Sequence, residues 1–113
     1  MYAYEIPGLR FSGVAKSKIK RYTFVAPDTT GEYVNAAAGK PVVGVAMNDP
    51  EANEVLEIAD GIVKVIAEDA IAAGDQVMVG TSGKAKKCSD GTGAVGIALT
   101  TAKANEQVTV KIG

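Results

Sequence analysis

The chain has 113 residues, 12 of them basic and 13 acidic, with no histidine and no tryptophan. That length makes one domain with a modest core, and a net charge of -1 with both signs scattered excludes a basic nucleic-acid surface and an acidic tail. Without histidine the commonest general base and the commonest metal ligand are both missing, so neither an enzyme nor a metal site is expected.

Valine and isoleucine number 22 against 6 leucines and methionines, and stiff β-branched side chains suit a pleated surface better than a helix. Thirteen glycines punctuate the chain as turns between short strands would. The predicted class is all-β.

Residues 1–15 (MYAYEIPGLRFSGVA) carry Tyr2, Tyr4, Ile6, Leu9 and Phe11 in a segment broken by Pro7-Gly8 and Ser12-Gly13. They read either as an edge strand on the protein's own core or as an extended N-terminal arm that orders on a partner, because exposed aromatics collect at interfaces. The segment lacks the basic and apolar regions of a secretory signal. No apolar run reaches the length of a membrane span, and the lone Cys88 suits a reducing compartment, so a soluble intracellular chain is expected.

Residues 16–113 read as a single β domain. A mixed alternation over 17–26 (SKIKRYTFVA) gives a strand, and the Pro-Asp-Thr-Thr-Gly cluster after it gives a turn. Residues 42–47 (VVGVAM) form a continuous apolar run, a strand buried on both faces, in which Gly44 marks a bulge or a close backbone approach. Residues 55–59 alternate, Asp60-Gly61 signals a hairpin, and residues 62–67 answer it. Residues 68–73 (EDAIAA) suit one short helical turn. A strand over 76–79, a turn over 80–84, a solvated face with Lys84, Lys86 and Lys87, and a polar turn around Cys88 follow. Val95 begins another buried strand, and Val108, Val110 and Ile112 alternate along a last, half-buried one.

These elements come twice. Residues 42–61 and 94–113 align without a gap at a spacing of 52, and extended upstream the register gives 11 identities in 39 pairs, where about three arise by chance. The sequence therefore predicts an internal duplication, with pseudo-repeats at about 19–61 and 71–113. Ala-Asn-Glu recurs at 52–54 and 104–106 and reads as a tight turn, since asparagine tolerates positive φ.

Motifs that would carry chemistry fail. Residues 91–96 spell G-x-G-x-x-G without the strand before and helix after it that place a pyrophosphate. Residues 80–85 are too short for a phosphate loop and put Ala85 where a hydroxyl would hold magnesium. The three lysines have no aromatics beside them to stack bases, and Cys88 has no histidine to activate it. No catalytic, cofactor or metal residue is proposed.

The runs VVGVAMND, ADGIVKV, AIAAGDQVMVG and GTGAVGIALTTAKANEQVTVKIG, in that order over roughly two-thirds of the chain, resemble the capsid cement, or head-decoration, proteins of tailed phages and prophages. The resemblance implies a compact small β-barrel or sandwich of β-clip character. It implies a structural virion protein that passes through the host cytoplasm during assembly. Such a protein binds the major capsid protein lattice on the capsid exterior, often as a homotrimer, and stabilises the expanded shell. Met78-Val79-Gly80 stands where other members often carry an aromatic-Asp pair. On this reading Tyr2, Tyr4, Ile6, Leu9 and Phe11 are the candidate capsid or subunit contacts, with no nucleic acid and no membrane as partner. Removing residues 1–13 is expected to leave a folded domain that no longer decorates shells. The alternative is a small duplicated β module of the lipoyl or biotinyl carrier or ligand-binding type. A carrier needs a lysine displayed on a tight hairpin between the copies, and Lys64 sits in a strand-like run instead.

Terminal strands are pinned by pairing. A chain stopped after Glu106 is expected to show no cooperative melt by circular dichroism, and a cooperative transition in that truncation would contradict the assignment of a closing strand.

Overall fold

The computed structural model describes residues 5–113, so Tyr2 and Tyr4 lie outside the described residues. The described residues form nine strands: β1 (Ile6–Val14), β2 (Phe24–Pro27), β3 (Tyr33–Asn35), β4 (Gly44–Ala46), β5 (Val55–Ile66), β6 (Gln76–Val79), β7 (Ala85–Lys87), β8 (Gly96–Ala98) and β9 (Gln107–Ile112). They make one antiparallel sheet in the order β3-β2-β4-β5-β9-β8-β6-β7, with β1 also on β5, curled into a half-barrel. Parallel bridges Ala15–Tyr33 and Ala67–Ala85 curl each end of the sheet back toward its own first strand.

The hairpin expected at Asp60-Gly61 does not form. β5 runs straight through these residues for 12 positions. Gly61 takes φ +103 and its N–H donates to its neighbour's carboxylate, Asp60 Oδ1, at 2.7 Å, so the dipeptide bends the strand without reversing it. The reason lies in the partners. β1 and β4 flank the first part of β5, with Arg10 and Val45 both opposite Ala59, and β9 pairs the second part, with Val110 opposite Val63. Residues 68–73 are not helical either: Ile71 exchanges backbone hydrogen bonds with Ala102, and the helical piece is a 3-10 turn at Thr81–Gly83. The apolar run at 42–47 narrows to the wholly buried strand β4, and Cys88, at the polar turn read from the sequence, is itself buried with Sγ 3.4 Å from the Thr92 carbonyl.

Backbone bonds recur at a spacing of 52. Ala15 N–H donates to Glu54 O at 2.9 Å, and Ala67 N–H donates to Glu106 O at 2.8 Å. The backbone N–H groups of Asn53 and Asn105 each donate to the carbonyl of the alanine just after a strand, Ala15 after β1 and Ala67 after β5, at 2.7 Å, with φ of 69° and 68°. The Glu54 and Glu106 carboxylates each accept from the backbone three residues back, at 2.8 Å. The register extends upstream of residue 19: Val14 faces Val55 as Ile66 faces Gln107, and Arg10 faces Ala59 as Ile62 faces Lys111. Residues 10–14 thus stand to the first half as residues 62–66 stand to the second.

The core follows the same count. One cluster holds Ala15, Ile19, Val25, Ala46, Leu56 and Ile58. Their counterparts 52 residues on, Ala67, Ile71, Val77, Ala98, Val108 and Val110, all belong to the larger cluster, which also takes Phe24, Val45 and Ala59 from the first half. Burying each valine or isoleucine contributes about 1.5–3 kcal/mol, and β9 supplies two of them. Gly44 and Gly96 sit where β4 and β8 cross close to the next strand: a Cβ on Gly44 would lie 2.6 Å from Ala59 O, and one on Gly96 would collide with Lys111 O. Backbone oxygens of a paired strand do not yield as side chains do, so the close approach foreseen at Gly44 is a packing requirement.

The same position anchors both hairpins by different chemistry. Lys16 Nζ meets Asp28 Oδ2 at 2.7 Å, and Glu68 Oε1 accepts the Thr81 N–H at 2.6 Å. The hydrogen bond from Lys16, then those from Thr30, hold the Asp28 carboxyl below the usual range, and the Thr81 N–H lowers Glu68. A carboxyl depressed in the folded state stabilises above its unfolded pKa, and that stability is lost as pH falls through the folded value.

Gly44→Ala and Gly96→Ala are each expected to cost about 1–3 kcal/mol in thermal melts. Gly8→Ala, whose Cβ meets nothing nearer than 3.9 Å, changes little. The double change Asp28→Asn, Glu68→Gln should flatten the fall in melting temperature between about pH 5 and pH 2, and an undiminished acid slope would show that these carboxylates do not govern it.

Candidate contact surface

The apolar side chains left outside the core are concentrated. Among the described residues the large exposed ones are Ile6 (61%), Leu9 (59%), Val14 (43%), Val55 (56%) and Ile97 (46%). Four of these five lie on the ribbon of β1 and the start of β5. Strand alternation exposes two of them: Phe11, Gly13, Leu56 and Ile58 turn one way, so Val14 and Val55 turn the other as direct cross-strand partners. Leu9, opposite Asp60, shares the parity of Phe11 and is exposed on the ribbon's other face. Near the other end of β1 a bulge between Pro7 and Leu9 shifts the register, and Ile6 faces Ile62.

Of the five residues singled out from sequence, Ile6 and Leu9 are on this surface, and Tyr2 and Tyr4 are outside the described residues. Phe11 is half-buried and packs inward, its ring 6.3 Å from that of Tyr33 at 59°, against the first-half cluster. A Cβ on Gly13 would run into the Tyr33 ring, which explains the small residue beside Phe11. Sequence reading missed Val14 and Val55. The signal was present, because in VLEIA the faces containing Leu56-Ile58 and Val55-Glu57 cannot both be inside.

Elsewhere the surface offers little chemistry. A cleft of about 600 Å³ is lined by Lys18, Lys20, Lys84, Asp49 and Glu51, with Lys18 only 3.9 Å from Glu51, so its charges largely answer one another. Lys64, which a carrier protein would have to display, lies within β5 with Nζ 5.2 Å from the Tyr22 ring and 4.0 Å from Glu5. Among the described residues no cluster of three metal-ligating side chains occurs, and no helix is long and apolar enough to cross a membrane.

Residues 8–113 match the phage cement protein family. The chain belongs to that family. A cement protein is a structural component of the phage particle, and nearly all of the folded chain falls within the match. The fold is similar to that in the crystal structure of the N base of head fiber gp8.5 from bacteriophage phi29, with a TM-score of 0.80 and 24% identity over 93% of each chain. No curated protein sequence matches.

Proposed function

We propose that this cement protein binds the outer surface of an icosahedral phage capsid, contacts the major capsid protein lattice, and stabilises the expanded shell as a homo-oligomer, a trimer being favoured. The observation that carries the reading is the exposed apolar ribbon of β1 and β5, on a fold with no chemistry assembled elsewhere on its described surface. Apolar patches rimmed by polar residues mark interaction sites, and on the face that carries Val14 and Val55 the next positions along the two strands are the exposed Ser12, Arg10 and Glu57. Binding to the mature lattice alone stabilises it by mass action, so each bound copy adds its binding free energy to the shell. The two halves are read as tandem copies of one unit, and Tyr2 and Tyr4 as an extension of the same contact surface.

The fold dictates how to test this. Removing residues 1–13, the deletion suggested by sequence, would strip a strand from β5 and uncover Leu56 and Ile58, so binding could not be separated from folding. Single changes at exposed positions separate them. Leu9→Lys and Val55→Lys are expected to melt as the wild type does and to co-sediment with expanded shells at least about tenfold more weakly, about 1.4 kcal/mol. Undiminished co-sedimentation of both would refute the proposed surface.

A further inference from the structure

The seam between the two halves of the chain joins two different faces. From the first half come the Tyr22 carbonyl, which accepts the Ile66 N–H at 2.8 Å, and Phe24 and Val45, cross-strand partners that are wholly buried. From the second half come the outer edge of β5 at Lys64 and Ile66 and the turn at Gly83, where a Cβ would lie 2.7 Å from the Phe24 carbonyl. Asn35 and Lys84 line one cleft across this seam.

Each face has a counterpart 52 residues away, and neither counterpart is covered. The first-half face repeats as Gly74, Gln76 and Ile97, and the second-half face repeats as Ser12, Val14 and Gly31; all six are exposed. The contrast is sharpest in the apolar pair. Ile66 is 9% exposed and Val45 is buried, whereas Val14 and Ile97 are two of the five large apolar side chains left in solvent. In the antiparallel ladder Ala15 N–H points to Glu54, so the N–H of Val14 points away from β5, and β5 is the strand's sole sheet partner among the described residues. Asn35 and Lys84 become Lys87 and Glu32, an ammonium opposite a carboxylate.

We propose that a second copy of this chain repeats the seam. The face of one copy carrying Gly74, Gln76 and Ile97 seats on the Ser12–Val14 edge of the next, with Ile97 against Val14 and the Gly74 carbonyl accepting the Val14 N–H. Ala72, Ala73 and Gly74 are small and exposed, which lets the two backbones approach. The contact is head-to-tail, and a rotation that closes makes a ring. Residues 6–9 already occupy the line that a neighbour's β9 would need, so the unbroken strand crossing of β5 is not repeated and the contact is the weaker of the two. Val55 stays free for another partner, because its counterpart Gln107 is exposed within the chain. This inference rests on the oligomeric part of the reading above and not on capsid binding.

Light scattering on the purified chain, with no shells present, tests it. The wild type should have the mass of an oligomer. Val14→Lys alone and Ile97→Lys alone should each reduce it to the monomer with an unchanged melt. Mixed in equal amounts, the two variants should give a two-chain species, because each retains the face that the other lacks. Should Val14→Lys fail to melt as the wild type does, Val14→Ser serves in its place. A monomeric wild type, an Ile97→Lys chain of undiminished mass, or a mixture without the two-chain species would overturn the proposal. A failure here leaves shell co-sedimentation as a separate question.

Discussion

One strand, β5, belongs to both halves of this protein, and the rest of the sheet depends on it. Twelve extended residues reach about 40 Å at about 3.3 Å each, comparable with the 35 Å long dimension of the molecule. Its first part is held by β1 on one side and β4 on the other, and its second part by β9. Because each strand face is fixed by alternation, a slip of one residue in β5 would turn Leu56, Ile58, Val63 and Val65 outward together. Gly61 allows the strand to change direction without ending, so two small curls share one backbone and one main core.

The halves reach the same geometry with different residues. At the position where Lys16 binds the carboxylate of Asp28, Glu68 binds the backbone N–H of Thr81. Where Gly13 makes room for the ring of Tyr33, the second half has the larger Val65 against the smaller Ala85. Gly13 with Tyr33 and Val65 with Ala85 are compensating pairs, one member growing as the other shrinks, which keeps the packed volume nearly constant. The outward faces diverge further: Phe24, Val45 and Ala59 are buried by the other half, and Gln76, Ile97 and Lys111 replace them at the open end.

Much of this was legible in the chain. The valine and isoleucine excess gave the all-β class, the repeated Ala-Asn-Glu gave two tight turns with left-handed asparagines, and Gly44 gave a close backbone approach. Asp60-Gly61 misled because a dipeptide that favours positive φ serves a bend as well as a hairpin, and only the availability of β1, β4 and β9 as partners decides between them. The segment EDAIAA carries helix-favouring residues, but Glu68 and Ile71 have tertiary hydrogen bonds that a helical turn would break. The register of residues 10–14 with 62–66 was hidden because RFSGV and IVKVI share no identity. Of the contact surface, Ile6 and Leu9 were visible as apolar residues without a pattern. Val14 and Val55 needed the sheet register, which fixes the face that points out.

The first-half cluster draws only on residues between Phe11 and Ile58. A ribosome releasing the chain from its N-terminus therefore delivers every residue of this small interior before it delivers the second half of the main core. The face bearing Phe24 and Val45 then waits, uncovered, for the remaining fifty or so residues. During that interval the nascent protein is stickier than the finished one, and the speed of elongation, more than the stability of the final sheet, sets how long a neighbouring polysome has to find that patch.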